Sequence, residues 1–236
     1  MKQTKNKKFN WEKIIGLWVF VSFIIPIIYL IFKIIYIKVT GISATRSIAD
    51  YVLILAQCIL GVVAMNLPTW ISKKTNILVP SFMYMTYIIF LYCAIFLGEV
   101  RSFYYTVPNW DTILHTFSGA MLGALGFSII NILNNEEKLH MNLTPLFVAV
   151  FAFCFSVTLG SLWEIYEFSF DGILGINMQK FATVEGTELV GRQALTDTMK
   201  DIIVDCIGAA VMSIVGYLQL KYKSGTFNKI LIKIKK

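Results

Sequence analysis

TPLFVAVFAFCFSVTLGSLWEIYE, residues 144–167, is the stretch that decides the fold of this chain. It carries no charged side chain before Glu164, and its apolar residues run continuously instead of alternating with a period of two. A run of about 20 such residues crosses a hydrocarbon core of roughly 30 Å as an α-helix, which satisfies its backbone hydrogen bonds internally. The stretch therefore predicts a transmembrane helix that ends in two carboxylates.

The rest of the chain repeats this pattern. Its 236 residues are 57% hydrophobic and 15% charged, and the mean hydropathy is +0.69, outside the range of soluble globular proteins. The predicted spans are 14–36, 47–66, 77–98, 111–133, 144–167 and 197–220. We expect an all-α, polytopic protein of six transmembrane helices that forms a single membrane domain over residues 1–236. Membrane lipid is its expected partner, in a bacterial-type plasma membrane.

Basic residues indicate how these spans are oriented. Of the 21 Lys and Arg residues, 14 precede the first span, lie in the second or fourth connection, or follow the sixth span. Short segments rich in Lys and Arg stay in the cytoplasm, so both termini are predicted to be cytoplasmic. The net charge of +7 is then suited to anionic lipid headgroups, and nucleic-acid binding is not expected.

Acidic residues gather at the opposite, outward ends of the last three spans. Asp111 and His115 are four residues apart, and Asp197, Asp201 and Asp205 follow one another at the same spacing. Each set therefore lies on one helical face. Unpaired charges at this depth of a membrane are costly, so a positive group or protonation must compensate them. The basic residues His115, Arg192 and Lys200 are fewer than the acids, and a bound divalent cation would close this gap.

Clustered carboxylates with one imidazole suit hard or borderline divalent cations, and we expect Mg²⁺, Mn²⁺ or Zn²⁺. The predicted metal ligands are Asp111, His115, Glu164, Asp197 and Asp201, and the candidate general base is Glu167. Supporting positions are assigned to Asp171, Arg192, Gln193 and Asp205. Such a centre can activate water or neutralise a phosphate.

Single members of this set also have simpler explanations. Asp111 and Asp197 stand at apparent helix starts, where a carboxylate caps free N–H groups and meets the positive end of the helix dipole. His115 taken alone is often a hydrogen-bonded core residue. Capping acts only in the first turn, so it does not account for Asp201 and Asp205.

Two further features flank the predicted cluster. Small residues in the fourth and sixth spans are expected to let these helices approach closely; they are Gly119, Gly123, Gly126, Gly208, Ala209 and Ala210. The outer connection at residues 171–196 is a lid over the cluster, an interfacial segment or an ordinary surface loop, and its length alone does not decide among these.

Three motifs resemble the YjdF-like family of bacterial integral membrane proteins. They are WDTILHTFSG (110–119), SLWEIYEFSFDG (161–172) and GRQALTDTMKDIIVDCIGA (191–209). The family pattern covers Asp111, His115, Gly119, Glu164, Glu167, Asp197, Asp201 and Gly208, whereas Asp205 is not carried over. The order of these motifs is also similar to that of VanZ-like membrane proteins, which are associated with glycopeptide resistance and the cell envelope. Both resemblances imply the fold and the site but no particular reaction.

Three functions of different classes fit these features. The leading hypothesis is a metal-dependent hydrolase or transferase that acts on a lipid or isoprenoid phosphate at the outer leaflet, in the cell envelope. An ion-coupled transporter would use the same acids to bind a cation or relay protons. A non-catalytic envelope protein would use the polar cluster only to fix helix packing. The residues alone leave open whether the protein is an enzyme.

Overall fold

The computed structural model describes residues 11–42, 46–135, 143–183, 187–222 and 231–234. Six helical segments in this part of the chain are long and apolar enough to cross a membrane. They are α1 (Trp11–Thr40), α2 (Ile48–Lys74), α3 (Ser81–Leu91) with its continuation Tyr92–Val100, α5 (Trp110–Asn135), α6 (Pro145–Leu174) and α7 (Arg192–Lys221). The short helix α4 (Phe103–Thr106) lies between the third and fourth of them. The prediction of an all-α membrane protein with six spans is confirmed.

Two predicted helix starts were wrong. Ile77 and Leu78 form strand β1, which pairs antiparallel with strand β2 (Lys233–Ile234), and α3 begins only at Ser81. Helix α7 begins at Arg192, ahead of the predicted start at Asp197, because a polar first turn escapes a search for apolar runs. Asp197 therefore lies inside the helix, and its explanation as an N-cap is wrong.

Helices α5, α6 and α7 pack against one another as a three-helix unit, and α1, α2 and the third span form a second group beside it. The buried face of α6 carries Ser156, Gly160 and Glu164, at a four-residue spacing. The buried face of α7 carries Asp201 and Asp205. The acids of these helices thus point into the unit and not toward lipid, as expected for polar groups within membrane spans.

The third span is joined to this unit by its irregular second half. Residues Tyr92–Val100 form a π-helix, a wider form that is frequent at functional sites. The carbonyl of Cys93 in this segment accepts a hydrogen bond from Nε1 of Trp110 on α5, at 3.3 Å. In the same segment Glu99 accepts a hydrogen bond from Gln57 of α2, at 3.1 Å. The π-helix therefore connects the first group of helices to the start of α5.

Helices α5 and α7 come into backbone contact through two glycines. A Cβ atom on Gly208 would collide with the backbone oxygen of Thr116, and one on Gly119 would collide with the backbone oxygen of Asp205. Small residues permit this close approach of two membrane helices. The expected role of small residues is confirmed at these two positions, and the contact sets the depth at which Asp205 meets α5.

The opposite end of the three-helix unit is packed by the segment that follows α7. Leu231 is 2% exposed and lies in an apolar cluster with Phe127. The N–H of Ile232 donates to Oγ of Ser128, and its carbonyl accepts from Nδ2 of Asn131, both at 3.2 Å. Among the described residues, the acids therefore gather at one end of the unit, and this other end is closed by apolar packing and two hydrogen bonds.

We expect Leu231→Ala to lower the melting temperature of the detergent-solubilised protein. Removing this buried side chain leaves a cavity that its neighbours fill only in part, at a cost of about 2 kcal/mol or more. For a chain of this size that corresponds to a fall in Tm of roughly 4–8 °C. Leu218→Ala, which truncates a side chain that is 43% exposed, is the control and should shift Tm less. Equal shifts would contradict the docking of this segment.

Candidate metal centre

His115 presents its two ring nitrogens to different groups. Nδ1 lies 3.2 Å from Oδ2 of Asp205 on α7, and Asp205 also accepts a hydrogen bond from the Ser118 hydroxyl at 2.9 Å. A carboxylate that accepts the Nδ1 proton fixes the tautomer and leaves the lone pair of Nε2 free. The imidazole is thus oriented as a donor whose Nε2 faces away from Asp205.

Three carboxylates from three helices face this Nε2 atom. Its distances are 3.6 Å to Oδ1 of Asp111, 4.0 Å to Oε1 of Glu164 and 4.0 Å to Oδ2 of Asp201. Ligand atoms of Asp111, His115 and Asp201 all lie within 4.8 Å of one another. Two ligand atoms that each lie about 2.1 Å from one ion are at most about 4.2 Å apart, so each carboxylate is near enough to Nε2 to share an ion with it. Glu164 faces Nε2 but is not part of the mutually close group of Asp111, His115 and Asp201. We call Asp111, His115, Glu164 and Asp201 the Nε2 cluster.

Glu164 is the member of this cluster whose buried carboxylate lacks hydrogen-bond partners among the described residues. Its side chain is buried, with 4% of the residue exposed, and neither carboxylate oxygen has a hydrogen-bond partner among the described residues. An ionised carboxylate in this situation is unfavourable unless a cation or a proton compensates it. A divalent cation beside Nε2 would supply that compensation.

Room for these carboxylates comes from small residues on α6. A Cβ atom on Gly160 would lie 2.6 Å from Oδ2 of Asp205, so a side chain at this position would displace the carboxylate. One turn earlier, the Ser156 hydroxyl donates to the carbonyl of Gly119 at 2.7 Å, which fixes α6 against α5. The close packing of the three helices is therefore what brings the acids together.

Lys180 adds a positive charge at the outer edge of the cluster. Its Nζ contacts Oδ2 of Asp111 and lies 3.3 Å from Oδ2 of Asp197. Burial lowers the pKa of Lys180, but the carboxylates of Asp111 and Asp197 outweigh this effect and hold the pKa above its ordinary value. The ammonium group stays charged, and Asp197 pairs with it at the edge of the cluster and is not among the groups facing Nε2.

Sequence reasoning did not single out Lys180 as a counter-ion. It lies in a connection without helical periodicity, so no spacing rule relates it to Asp111. The connection itself is shaped by Asp171, whose carboxylate accepts the backbone N–H groups of Met178 and Gln179 at 2.7 and 2.9 Å. Asp171 thus acts on the turn that carries Lys180 and not on the Nε2 cluster directly.

The remaining predicted residues lie farther out. Glu167 is one turn beyond Glu164 on α6, and its Oε1 accepts a hydrogen bond from Nε1 of Trp163 at 3.0 Å. Arg192 and Gln193 are exposed at the start of α7, about 13 Å along the helix from Asp201. The structure does not bring Arg192 and Gln193 to the Nε2 cluster.

The charges around the cluster do not balance in the described part of the chain. The carboxylates are those of Asp111, Glu164, Asp197, Asp201 and Asp205, and the facing basic groups are His115 and Lys180. If all five carboxylates are ionised and both basic groups are protonated, three negative charges remain (five minus two). This excess is the electrostatic setting in which a divalent cation binds.

Comparison with known proteins gives a family and one relative. Residues 26–222 match the family described as Predicted membrane protein (DUF2238), a range that includes the whole Nε2 cluster. The chain is also similar to an uncharacterised protein of Thermotoga maritima, with 30% identity over 132 residues that cover 56% of this chain and 58% of that protein. No solved structure matches. The resemblance to the YjdF-like family is consistent with the family match, and the resemblance to VanZ-like proteins stays a prediction.

Proposed function

This chain belongs to the DUF2238 family of predicted membrane proteins, and we propose that it is a metal-dependent membrane enzyme whose Nε2 cluster binds Mg²⁺, Mn²⁺ or Zn²⁺. The reaction would be hydrolysis or transfer of a lipid or isoprenoid phosphate. The observation that carries this proposal is the orientation of His115, whose Nδ1 faces Asp205 while Nε2 faces three carboxylates, one of them the unpartnered Glu164.

The donor set matches known habits of metal sites. A histidine ligand almost always donates its second ring N–H to a carboxylate or carbonyl, which orients the ring and increases its basicity. Asp205 has this relation to His115 at 3.2 Å. One nitrogen and several carboxylate oxygens suit borderline or hard divalent cations better than soft ones. Ligands from three helices would also make the bound ion a cross-link within the unit.

The chemistry of such a site follows from its parts. A bound divalent cation activates water and neutralises phosphate oxygens. Glu167, one turn outward from Glu164, is the candidate general base that accepts a proton from the attacking group. Its hydrogen bond with Trp163 would hold the carboxylate near the edge of the cluster until it accepts the proton. Trp163, Glu164 and Glu167 all lie on α6, so the helix fixes the distances between their backbone positions.

The place of the site in the fold favours an amphipathic substrate. The cluster lies at the start of α5 and within about three turns of the start of α7 and of the end of α6. The distribution of basic residues supports an orientation with this end on the non-cytoplasmic side of a bacterial plasma membrane. On the same end of α6, Phe168 and Ile173 are 69% and 77% exposed, which suits contact with an acyl or isoprenoid chain. Among the described residues, apolar side chains pack around Leu231 at the opposite end of the unit, whereas the acids gather at this end, which favours a one-sided site over a transport path.

We expect Asp205→Asn to weaken Mn²⁺ binding to the purified full-length protein by about 10–100-fold. The amide retains most of the packing beside Gly160 but loses the charge that fixes the orientation of His115. Electron paramagnetic resonance of free Mn²⁺ in a titration measures this loss. Asp50→Asn, at the start of α2 where the carboxylate accepts hydrogen bonds from Ser47, is the matched control and should bind as the wild type does. Equal affinities of all three proteins would show that Asp205 does not orient a ligand.

Release of phosphate tests the enzymatic part separately. The metal-loaded protein in mixed micelles should release phosphate from one or more members of a panel of lipid and isoprenyl phosphates, and Asp205→Asn should slow that release. If the protein binds Mn²⁺ but releases phosphate from no member of the panel, the proposed metal site would be supported and the proposed hydrolase activity would be contradicted.

A further inference from the structure

We propose that Lys180 is the group that binds the phosphate of the substrate, and this inference rests on the proposed function. In the structure its ammonium group pairs with Asp111 and Asp197. When a phosphate lies against the cluster, the ammonium turns to one of its oxygens. Lys180 is thereby a positioning residue that selects phosphate-bearing substrates.

The geometry of Asp111 places the ammonium beside the cluster. Oδ1 of Asp111 faces Nε2 of His115 at 3.6 Å, while Oδ2 of the same carboxylate contacts Nζ of Lys180. The ammonium is therefore separated from the proposed cation position by a single carboxylate group. A phosphate has several oxygens, so it can bind a cation through one and accept a charge-assisted hydrogen bond from a lysine through another.

The backbone around Lys180 is anchored on both sides. Asn177 brackets Ala182 with two hydrogen bonds, of 2.7 Å to its carbonyl and 3.0 Å from its N–H. Nε2 of Gln179 donates to Oγ1 of Thr198 on α7, at 2.9 Å. These contacts fix the turn to the helices, so the movable part is the flexible stem of the lysine side chain.

Lys180 itself adopts an unusual backbone conformation. Its φ is +49°, in the left-handed region that non-glycine residues seldom occupy, and such residues concentrate at functional sites. The turn holds Lys180 in this unfavourable backbone conformation, and this conformation directs its side chain toward Asp111 and Asp197.

The lysine is also open to the exterior. Its side chain is 25% exposed, and Nζ lies 5.8 Å from the centre of the Tyr104 ring. Among the Lys and Arg residues that the structure describes, Lys180 is the one that forms ion pairs with the acids of this site. Arg192 and Lys200 are exposed on α7. A phosphate that binds at the cluster would therefore lie within reach of the Lys180 ammonium.

Calorimetric titration of the Mn²⁺-loaded full-length protein in detergent tests this role. The probes are inorganic phosphate and dihexanoyl phosphatidic acid, and the variants are Lys180→Met, Lys180→Arg and, as a matched control, Lys200→Met, whose ammonium lies 3.5 Å from Asn109. We expect Lys180→Met to weaken binding of the phosphate group by about tenfold or more, the loss typical of one charged hydrogen bond. Lys180→Arg should retain most of the affinity, and Lys200→Met all of it.

Binding of Mn²⁺ is measured first with the same proteins. Lys180→Met should bind the metal at least as tightly as the wild type, because Asp111 and Asp197 no longer share their charge with an ammonium group. If both probes bind equally to wild type and Lys180→Met, the inference is overturned and Lys180 is only a counter-ion. If the wild type binds no Mn²⁺, the proposed function fails, and a Lys180-dependent titration without metal would still support this inference.

The two probes separate the sources of the phosphate. Lys180-dependent binding of both supports recognition of the phosphate group itself. Lys180-dependent binding of phosphatidic acid alone supports a lipid headgroup as the natural ligand, and binding of inorganic phosphate alone supports a free anion.

Discussion

His115→Ala is expected to lower the affinity for Mn²⁺ by at least about 100-fold, more than the loss expected for any residue outside the ligand set. The change removes the nitrogen ligand and leaves Asp111, Glu164 and Asp201 around a gap without a central donor. Those three carboxylates then repel one another, so the remaining oxygens are also less well placed. Mn²⁺ titration of the purified variant, followed by electron paramagnetic resonance, measures the loss.

The chain supplies its own control for this experiment. His140 is the other of its two histidines; it lies outside the residues that the structure describes, in the predicted connection between the fourth and fifth spans. His140→Ala should therefore bind Mn²⁺ as the wild type does. If His115→Ala bound Mn²⁺ as tightly as the wild type, the metal would not bind at the Nε2 cluster. If that variant only melted at a lower temperature, the polar cluster would be a packing device, as in the non-catalytic hypothesis.

Gly208→Ala should destabilise the protein by about 3 kcal/mol, at the upper end of overpacking costs, or roughly 6–12 °C in Tm. The added Cβ atom would meet the backbone oxygen of Thr116, which cannot rotate away as a side chain can. Helices α5 and α7 must separate, and this also moves Asp205 relative to His115. Weaker Mn²⁺ binding should accompany the lower Tm.

Gly172→Ala is the matched control for this prediction. Gly172 lies in α6, and a Cβ atom there would have no neighbour within 4 Å among the residues that the structure describes. Since alanine is favoured over glycine inside a helix by about 1 kcal/mol, this variant should melt at the wild-type temperature or slightly above it. If Gly208→Ala behaved in the same way, the two helices would be less closely packed than their backbone contact implies.

Hydropathy was enough to predict six spans, because each is a long run of apolar residues in a helix. It did not predict strand β1, since Ile77 and Leu78 pair with a strand that is distant in sequence. It also placed the start of α7 at Asp197, because the turn beginning at Arg192 is polar. The first difference depends on a contact between distant residues and the second on a polar helical turn, and a search for apolar runs detects neither.

The candidate site was predictable to the extent that it depends on helical spacing. The four-residue interval placed Asp111 and His115 on one face of α5, and the structure has both side chains at one site. That Asp205 faces Nδ1 while Asp201 faces Nε2 depends on how α5 and α7 are rotated against each other. No spacing within one helix contains that information, and the same holds for Lys180, whose position depends on a folded turn.

The pairing of β1 with β2 has a consequence for biosynthesis. Strand β1 follows α2, whereas β2 and Leu231 follow α7, so the ribosome completes the second partner only after all six spans have been made. Contacts between residues so far apart in sequence form slowly, because a long loop must close first. Nascent chains must therefore keep β1 unpaired throughout insertion of the later spans, and joining of the two halves is a post-insertion step.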